Sequence, residues 1–371
     1  MIPSSYYQLF YILVVTLLSF VTLSHYGSFR KDRLSLARVK SIDISILIAI
    51  FFVFFIGLRD PYGIEFGDSQ KYTRAYMSSF GDPFAWDWEE KNYLYDNIFL
   101  LFSSKKNPIE YFYLFISFVY FFGIWFCCKK LFPKDSASSF VVYLIGFSTY
   151  SYSVNGIKAG AAASLFLIAI ALRERKKYIL TGVFLFFSLG FHHSMLMPII
   201  VFIFCSLIKN SKFYMGFWFV CFIISVLHIK YFQNLFLSFG GDIDDKIIGY
   251  LGEDLSTYKF STLKSGFRFD FVLYSFIPIL IGWLAIFKKG IQSDQYRFVL
   301  NLYTFINAIW MLCMYASFTN RIAYLSWLIY PIVLIYPFIK EKWGENQNKI
   351  YKWVAYGHLT FTLFMFFVYY T

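Results

Sequence analysis

Apolar runs recur along the whole chain, and short clusters of Lys and Arg separate them. A helix needs about 20 residues to cross a bilayer, and several of the runs approach that length. Inside a bilayer the backbone finds no water, so a spanning run must close its own hydrogen bonds as a helix. The pattern therefore makes the fold class an all-α polytopic membrane protein. Composition agrees: 58% of residues are hydrophobic and 15% are charged, where a soluble domain carries roughly a quarter charged residues.

About twelve transmembrane helices are expected from the periodicity. They fall near Tyr6–Ser24, Ile42–Leu58, Ile109–Cys127, Ser138–Tyr152, Lys158–Leu172, Tyr178–Phe191, Met195–Ile208, Phe213–His228, Phe269–Phe287, Phe298–Ala316, Ile322–Ile339 and Tyr351–Tyr370. Residues 1–371 read as a single transmembrane domain with two larger extracytoplasmic loops, 59–108 and 229–268. Within the first loop the apolar piece Tyr93–Phe102 is too short to span, and is expected to re-enter or to lie along the interface.

The net charge of +12 raises the question of nucleic acid, but its distribution argues against that partner. Turns assigned to one side hold most of the 34 Lys and Arg, and turns on the other side hold most of the 22 Asp and Glu. That is the positive-inside pattern, and it places both termini outside. The N-terminal apolar run is preceded by no Lys or Arg, so it reads as a first helix rather than a signal peptide. Five cysteines (Cys127, Cys128, Cys205, Cys221, Cys313) lie in or beside apolar runs without CxxC spacing. They read as buried small hydrophobes with no disulfide framework.

Four cations fall at outer helix ends, against the general trend: Arg59, Lys158, Arg268 and Arg321. Singly, each can be a snorkelling helix anchor. As a set from four helices they suit a lipid phosphate or diphosphate, helped by the positive ends of helices beginning there. Lys158 sits in NGIKAGAAAS, where small residues let backbones approach closely. On the same side lie His192 and His193. Histidine titrates near neutrality and can act as a base. Neighbouring helical residues point about 100° apart, so one of the pair is expected to face the site, with His192 favoured because it directly follows Phe191. Asp68 is an alternative base. Asp60, Tyr72 and Arg74 in the first loop, with Asp270 and Tyr324, are candidates for weak glycan contacts, and Arg268 with Asp270 can form an ion pair. The histidine pair lacks the spacing of a metal motif, and no metal or cofactor is expected. The DxD at Asp242–Asp244 lies in an outer loop, where nucleotide sugars are not expected. His25, His228 and His358 are isolated and carry no expected role.

Five short motifs stand in order along the chain: Gly57-Leu58-Arg59; Gly67-Asp68 with Tyr72; Asn155-Gly156-Ile157-Lys158; Phe191-His192-His193-Ser194; and Asn320-Arg321-Ile322-Ala323-Tyr324. Their order resembles that of the EpsG-like, Wzy-type bacterial polysaccharide polymerases (O-antigen, capsule or exopolysaccharide). Lys158 stands where that family often carries an arginine, and Ala159 follows it where a polar residue is common. A lysine offers a point charge rather than a bidentate fork. The resemblance implies a metal-independent membrane glycosyltransferase at the outer face of the bacterial inner membrane. Its donor and acceptor would be lipid-linked oligosaccharides, with undecaprenyl diphosphate as the leaving group. It also implies bilayer lipids and a chain-length regulator protein as partners. Two other classes compete: a flippase or transporter of lipid-linked sugars, and a related membrane ligase or acyltransferase. A flippase should carry midplane charges, and the middles of these runs are nearly free of charge.

Overall fold

The structure is a computed structural model that describes residues 2–24, 26, 43–227, 267–315 and 319–370. Arg30, Lys31, Arg33, Arg38 and Lys40 of the first basic turn lie outside the described residues, as do nearly all of the second large loop with Asp242 and Asp244, and His25 and His228. In chain order the helices are α1 (Ser4–Ser24), α2 (Ile44–Gly57), α3 (Ser69–Ser78), α4 (Tyr93–Ser104), α5 (Ile109–Leu131), α6 (Ser136–Ile145), α7 (Phe147–Val154), α8 (Ile157–Glu174), α9 (Tyr178–Phe191), α10 (Leu196–Leu207), α11 (Ser211–Val226), α12 (Phe269–Trp283), α13 (Asp294–Leu312), α14 (Thr319–Trp327), α15 (Tyr330–Ile339) and α16 (Gln347–Tyr370). Every regular element among the described residues is helical.

Four described spans are long and apolar enough to cross a membrane: Ser4–Ser24, Ile109–Leu131, Phe269–Lys288 and Thr319–Ile339. The pair α7 and α8, bent by 120°, makes a fifth if counted as one. α2, α6, α9, α11 and the stretch His193–Leu207 are shorter apolar helices.

Two compact units divide the chain: Met1–Leu196 with Phe338–Val368, and Met197–Pro337 with Tyr369–Thr371. In the first unit, α5 and α8 form the centre, with α2 against α5 and α9 against α8. Asp43 caps α2 by accepting from the Ser45 N–H (3.1 Å). Its carboxylate also takes the Lys129 ammonium of α5 at 2.5 Å, which ties two helix ends together. The five cysteines are buried, as their apolar setting suggested.

Three departures from the sequence pattern have local causes. The single helix expected over Ser138–Tyr152 is two helices that break at Gly146. There the Thr149 hydroxyl donates to the Tyr143 carbonyl (2.7 Å), supplying the bond that the interrupted ladder gives up. The helix expected over Ile322–Ile339 breaks between Trp327 and Tyr330, where Pro331 has no N–H to donate. The polar first loop contains an unexpected helix, α3. Its buried face is Ser69, Thr73 and Tyr76, a hydroxyl-rich stripe that shows no apolar period.

α7 turns into α8 through Asn155 and Gly156. The two helices then meet closely enough that a Cβ at Gly160 would lie 2.5 Å from the Tyr152 carbonyl oxygen. No backbone atom can yield by that amount cheaply, so glycine is required there. The AGAAAS run serves this close approach.

In the second unit, α11 packs on α13. The Trp218 indole donates to Asn307 (2.8 Å), which donates to Ser326 of α14 (3.0 Å). Tyr274 of α12 stacks on Tyr330 of α15 with centroids 4.1 Å apart. Trp218, Asn307 and Ser326 are thus paired across helices, as a low-dielectric interior favours.

Gly160→Val should lower stability by on the order of 1–3 kcal/mol, read as a lower midpoint of thermal unfolding in detergent. Gly182→Ala is the control, because nothing lies within 4 Å of a Cβ there. An unchanged midpoint for Gly160→Val would contradict the close approach.

Candidate functional site

Arg59 follows the C-terminus of α2 and is 1% exposed. Its guanidinium donates to the Ile56 carbonyl (2.9 Å), to Ser69 of α3 (3.0 Å) and to the Val154 carbonyl at the end of α7 (3.4 Å). It lies over the Tyr113 ring of α5 at 4.1 Å. Burial lowers its pKa, yet an arginine stays charged in any protein setting. Arg59 therefore binds four segments together from within rather than presenting its charge at a surface.

The second motif locks onto the third. The Asp68 N–H donates to Asn155 Oδ1 at 2.8 Å. Gly67 has φ +56°, and a Cβ there would lie 2.8 Å from the Asn155 side chain. Left-handed backbone and lack of space both select glycine. The Asp68 carboxylate is part-exposed and pairs with Lys71 (2.9 Å).

Lys158 is the second residue of α8, and its ammonium meets Asp96 Oδ1 of α4 at 2.6 Å. Aromatic faces flank the pair: Tyr95 lies 4.6 Å and Tyr72 5.9 Å from the ammonium. Both charged side chains keep about a fifth of their surface exposed, 22% and 21%. The cation is therefore partly desolvated but still reachable.

The histidines depart from the expected geometry. α9 ends at Phe191, and His192 is extended (φ −158°, ψ 122°), so the helical separation of about 100° does not apply. The two rings instead stack, with centroids 5.0 Å apart and planes 14° from parallel. Their hydrogen bonds assign opposite tautomers. His192 Nδ1 accepts the Ser194 N–H (3.2 Å), so in the neutral ring the proton sits on Nε2. His193 Nδ1 lies 3.2 Å from Asn92 Oδ1, an oxygen that also accepts the His193 backbone N–H (3.1 Å). That oxygen cannot donate, so His193 Nδ1 carries the proton and the basic lone pair is on Nε2.

Asn92 is the N-cap of α4, and Asp96 lies one turn further on. One turn of one short helix therefore anchors both the imidazole, through Asn92, and the ammonium, through Asp96, and those two anchors are about 6 Å apart along its axis. Sequence reasoning treated this segment only as too short to span. The overlooked signal was Asp96, a lone charge inside YLYDNIFLLF, which an apolar helix tolerates only with a partner.

Among the other expected site residues of the first unit, Asp60 accepts the Tyr62 N–H (2.9 Å) in a tight turn, and Arg74 is exposed on α3. In the second unit Arg268 and Asp270 form the expected pair, bidentate at 2.6 and 3.0 Å, with the guanidinium 3.8 Å over Phe271. Phe271 meets Trp327 of α14. Arg321 is exposed in the first turn of that helix, and Tyr324 is buried.

Residues 44–371 match the EpsG family. The chain belongs to that family. No curated protein and no solved structure matches it. Family membership and the apolar helices make this EpsG-family chain a membrane protein of polysaccharide biosynthesis. Four of its five motifs (those with Arg59, Asp68, Lys158 and the histidines) lie in the first unit, and the fifth lies with Arg268 in the second.

Asp96→Asn should remove the charge partner of Lys158 and destabilise the protein by roughly 1–3 kcal/mol, seen as a lower thermal midpoint in detergent. Lys158→Met with Asp96→Leu should recover much of that loss, because no unpaired charge remains. A double variant less stable than the single one would contradict a net cost from the isolated ammonium.

Proposed function

We propose that this protein is a polysaccharide polymerase that extends a glycan on a lipid diphosphate. The observation that carries the reading is the single turn of α4 that holds the ammonium of Lys158 and the imidazole of His193. In this scheme the acceptor is a sugar hydroxyl on a lipid-linked repeat unit. Its oxygen bonds to the anomeric carbon of the donor glycan, the bond from that carbon to the diphosphate oxygen breaks, and undecaprenyl diphosphate leaves. His193 Nε2 takes the hydroxyl proton. Lys158 stabilises charge on the leaving diphosphate, aided by the N-terminal end of α8. An ammonium has three donors, so Lys158 can keep Asp96 while bonding a phosphate oxygen.

In the second unit Arg268 and Arg321 are the cations suited to a phosphate, and Asp270 sets the orientation of Arg268. Arg59 acts by holding the α7–α8 bend. Asp68, Asp60, Tyr72, Arg74 and Tyr324 belong to the glycan side of the scheme. The protein crosses the bacterial inner membrane about twelve times, with the site on the extracytoplasmic face. A regulator of chain length is the expected protein partner, and the chemistry calls for no metal.

Purified protein given a defined lipid-linked repeat unit should produce a ladder of longer products. Lys158→Ala, Arg268→Ala and Arg321→Ala should insert normally, yet lower the rate of extension by roughly 10²- to 10³-fold each. Cells carrying them should accumulate single-unit glycans. Lys158→Arg keeps the cation and should retain extension. His193→Ala should cost about 10²- to 10⁴-fold, and His192→Ala markedly less. Normal long chains in all three cation variants would refute the scheme, and equal losses at the two histidines would remove the assignment of His193.

A further inference from the structure

Between α3 and α4 the chain carries a run of aromatic rings for which the scheme above has no use. Phe84 meets Trp86 (6.4 Å between centroids), Trp86 meets Trp88 (5.3 Å), Trp88 meets Tyr93 (5.6 Å), and Tyr93 meets Phe186 of α9 (5.5 Å). Trp88 is 67% exposed and Trp86 40%. A continuous exposed aromatic surface of this kind marks a binding site.

The run is built rather than loose. Asn97 of α4 is fully buried, and its side chain is spent on this segment. Its Oδ1 accepts the Asp87 N–H (2.8 Å), and its Nδ2 donates to the Asp87 and Tyr93 carbonyls (2.5 and 2.6 Å). Asp87 lies between the two tryptophans, so a buried amide fixes the backbone from which both rings project. The Tyr93 hydroxyl donates to the Phe186 carbonyl (3.3 Å), which anchors the far end.

Two occupants suit exposed tryptophans: a bilayer interface and a sugar. Tryptophan belts mark both bilayer interfaces, whereas a sugar site calls for hydrogen-bonding groups beside the rings. Within residues 82–91 the exposed charged side chains are Asp82, Asp87, Glu89 and Glu90 against Lys91, and the Lys106 side chain lies beside Gly81 at the near end of the run. Carboxylates repel an anionic lipid surface and accept hydrogen bonds from sugar hydroxyls. Aromatic faces stack on the C–H faces of pyranose rings. The run also ends beside the site, because Tyr93 is the next residue after Asn92, which holds His193.

We propose that the aromatic run Trp86–Trp88–Tyr93–Phe186, rimmed by carboxylates, is a carbohydrate subsite that stacks on uncharged pyranose units of the glycan next to His193. This rests on the polymerase reading for the identity of the ligand, while its binding is independent of turnover. The rim favours hydroxyl-rich neutral sugars over uronic acids, which the carboxylates would repel.

The test uses the full-length protein in nanodiscs and, as probe, the lipid-free polysaccharide released by mild acid from the source cells. Titration should quench or shift tryptophan fluorescence. Trp86→Ala/Trp88→Ala should weaken binding by at least about tenfold, Trp88→Phe should keep most of the affinity, and Trp353→Ala, exposed on α16, should change nothing. No binding by the unaltered protein, or equal binding by the double alanine variant, overturns the subsite. A second arm places brominated acyl chains in the nanodisc. If the fluorescence that Trp86→Phe/Trp88→Phe removes is the fraction those lipids quench, the rings lie in the bilayer and the subsite is overturned. Binding that depends on the tryptophans, in a protein that makes no product ladder from a lipid-linked unit, supports the subsite and refutes the polymerase reading alone.

Discussion

The buried guanidinium of Arg59 is the interaction on which the first unit depends. A charge removed from water is costly unless its donors are occupied. Here the two terminal nitrogens find the last turn of α2, a serine of α3 and the terminal carbonyl of α7, with the Tyr113 ring of α5 beneath, while Nε is buried without a hydrogen-bond partner. Each of those segments ends or turns where its backbone groups would otherwise lack partners. The arginine supplies those partners, and it fixes the place where α7 gives way to α8. Without it the 120° bend would leave the Val154 carbonyl with Ser69 alone among its two donors.

From that bend the site follows by short steps. Asn155, in the bend, accepts the Asp68 N–H, so the Gly67-Asp68 motif is held by the Asn155-Gly156-Ile157-Lys158 motif. Lys158 is then the second residue of α8 and faces α4. α4 answers with Asp96, and one turn earlier with Asn92 for His193. A helix too short to span is well suited to this work, because its polar residues need not be hidden from lipid on all sides. The Lys158–Asp96 pair keeps a partly desolvated cation at this end of α8.

The parts of the fold that could be read in sequence are those with an apolar period. α1, α5, α9 and α11 lie within a few residues of their expected limits, because apolar runs ending at basic or polar turns define them. The segments that escaped are those whose buried faces are polar. α3 buries Ser69, Thr73 and Tyr76 through hydroxyl bonds, which leave no hydrophobic stripe. The breaks at Gly146 and before Pro331 were signalled by residue type, yet a glycine or proline in an apolar run also occurs in unbroken membrane helices. Among the site residues, Lys158 and the histidines were visible as polar groups at helix ends. Asp96 and Asn92 were not singled out, since each acquires meaning only from its partner about a hundred residues away or less.

By itself, the sequence determined that the chain is helical and membrane-embedded, and which five motifs it carries. Those are properties of composition and local period, and they need no knowledge of contacts. Tertiary structure alone decided that Arg59 is an internal brace, that one turn of α4 holds both Lys158 and His193, and that the histidines have opposite tautomers. Each of those outcomes depends on hydrogen bonds between segments far apart in the chain. A linear pattern reports which groups are polar, and only packing determines where their donors and acceptors meet.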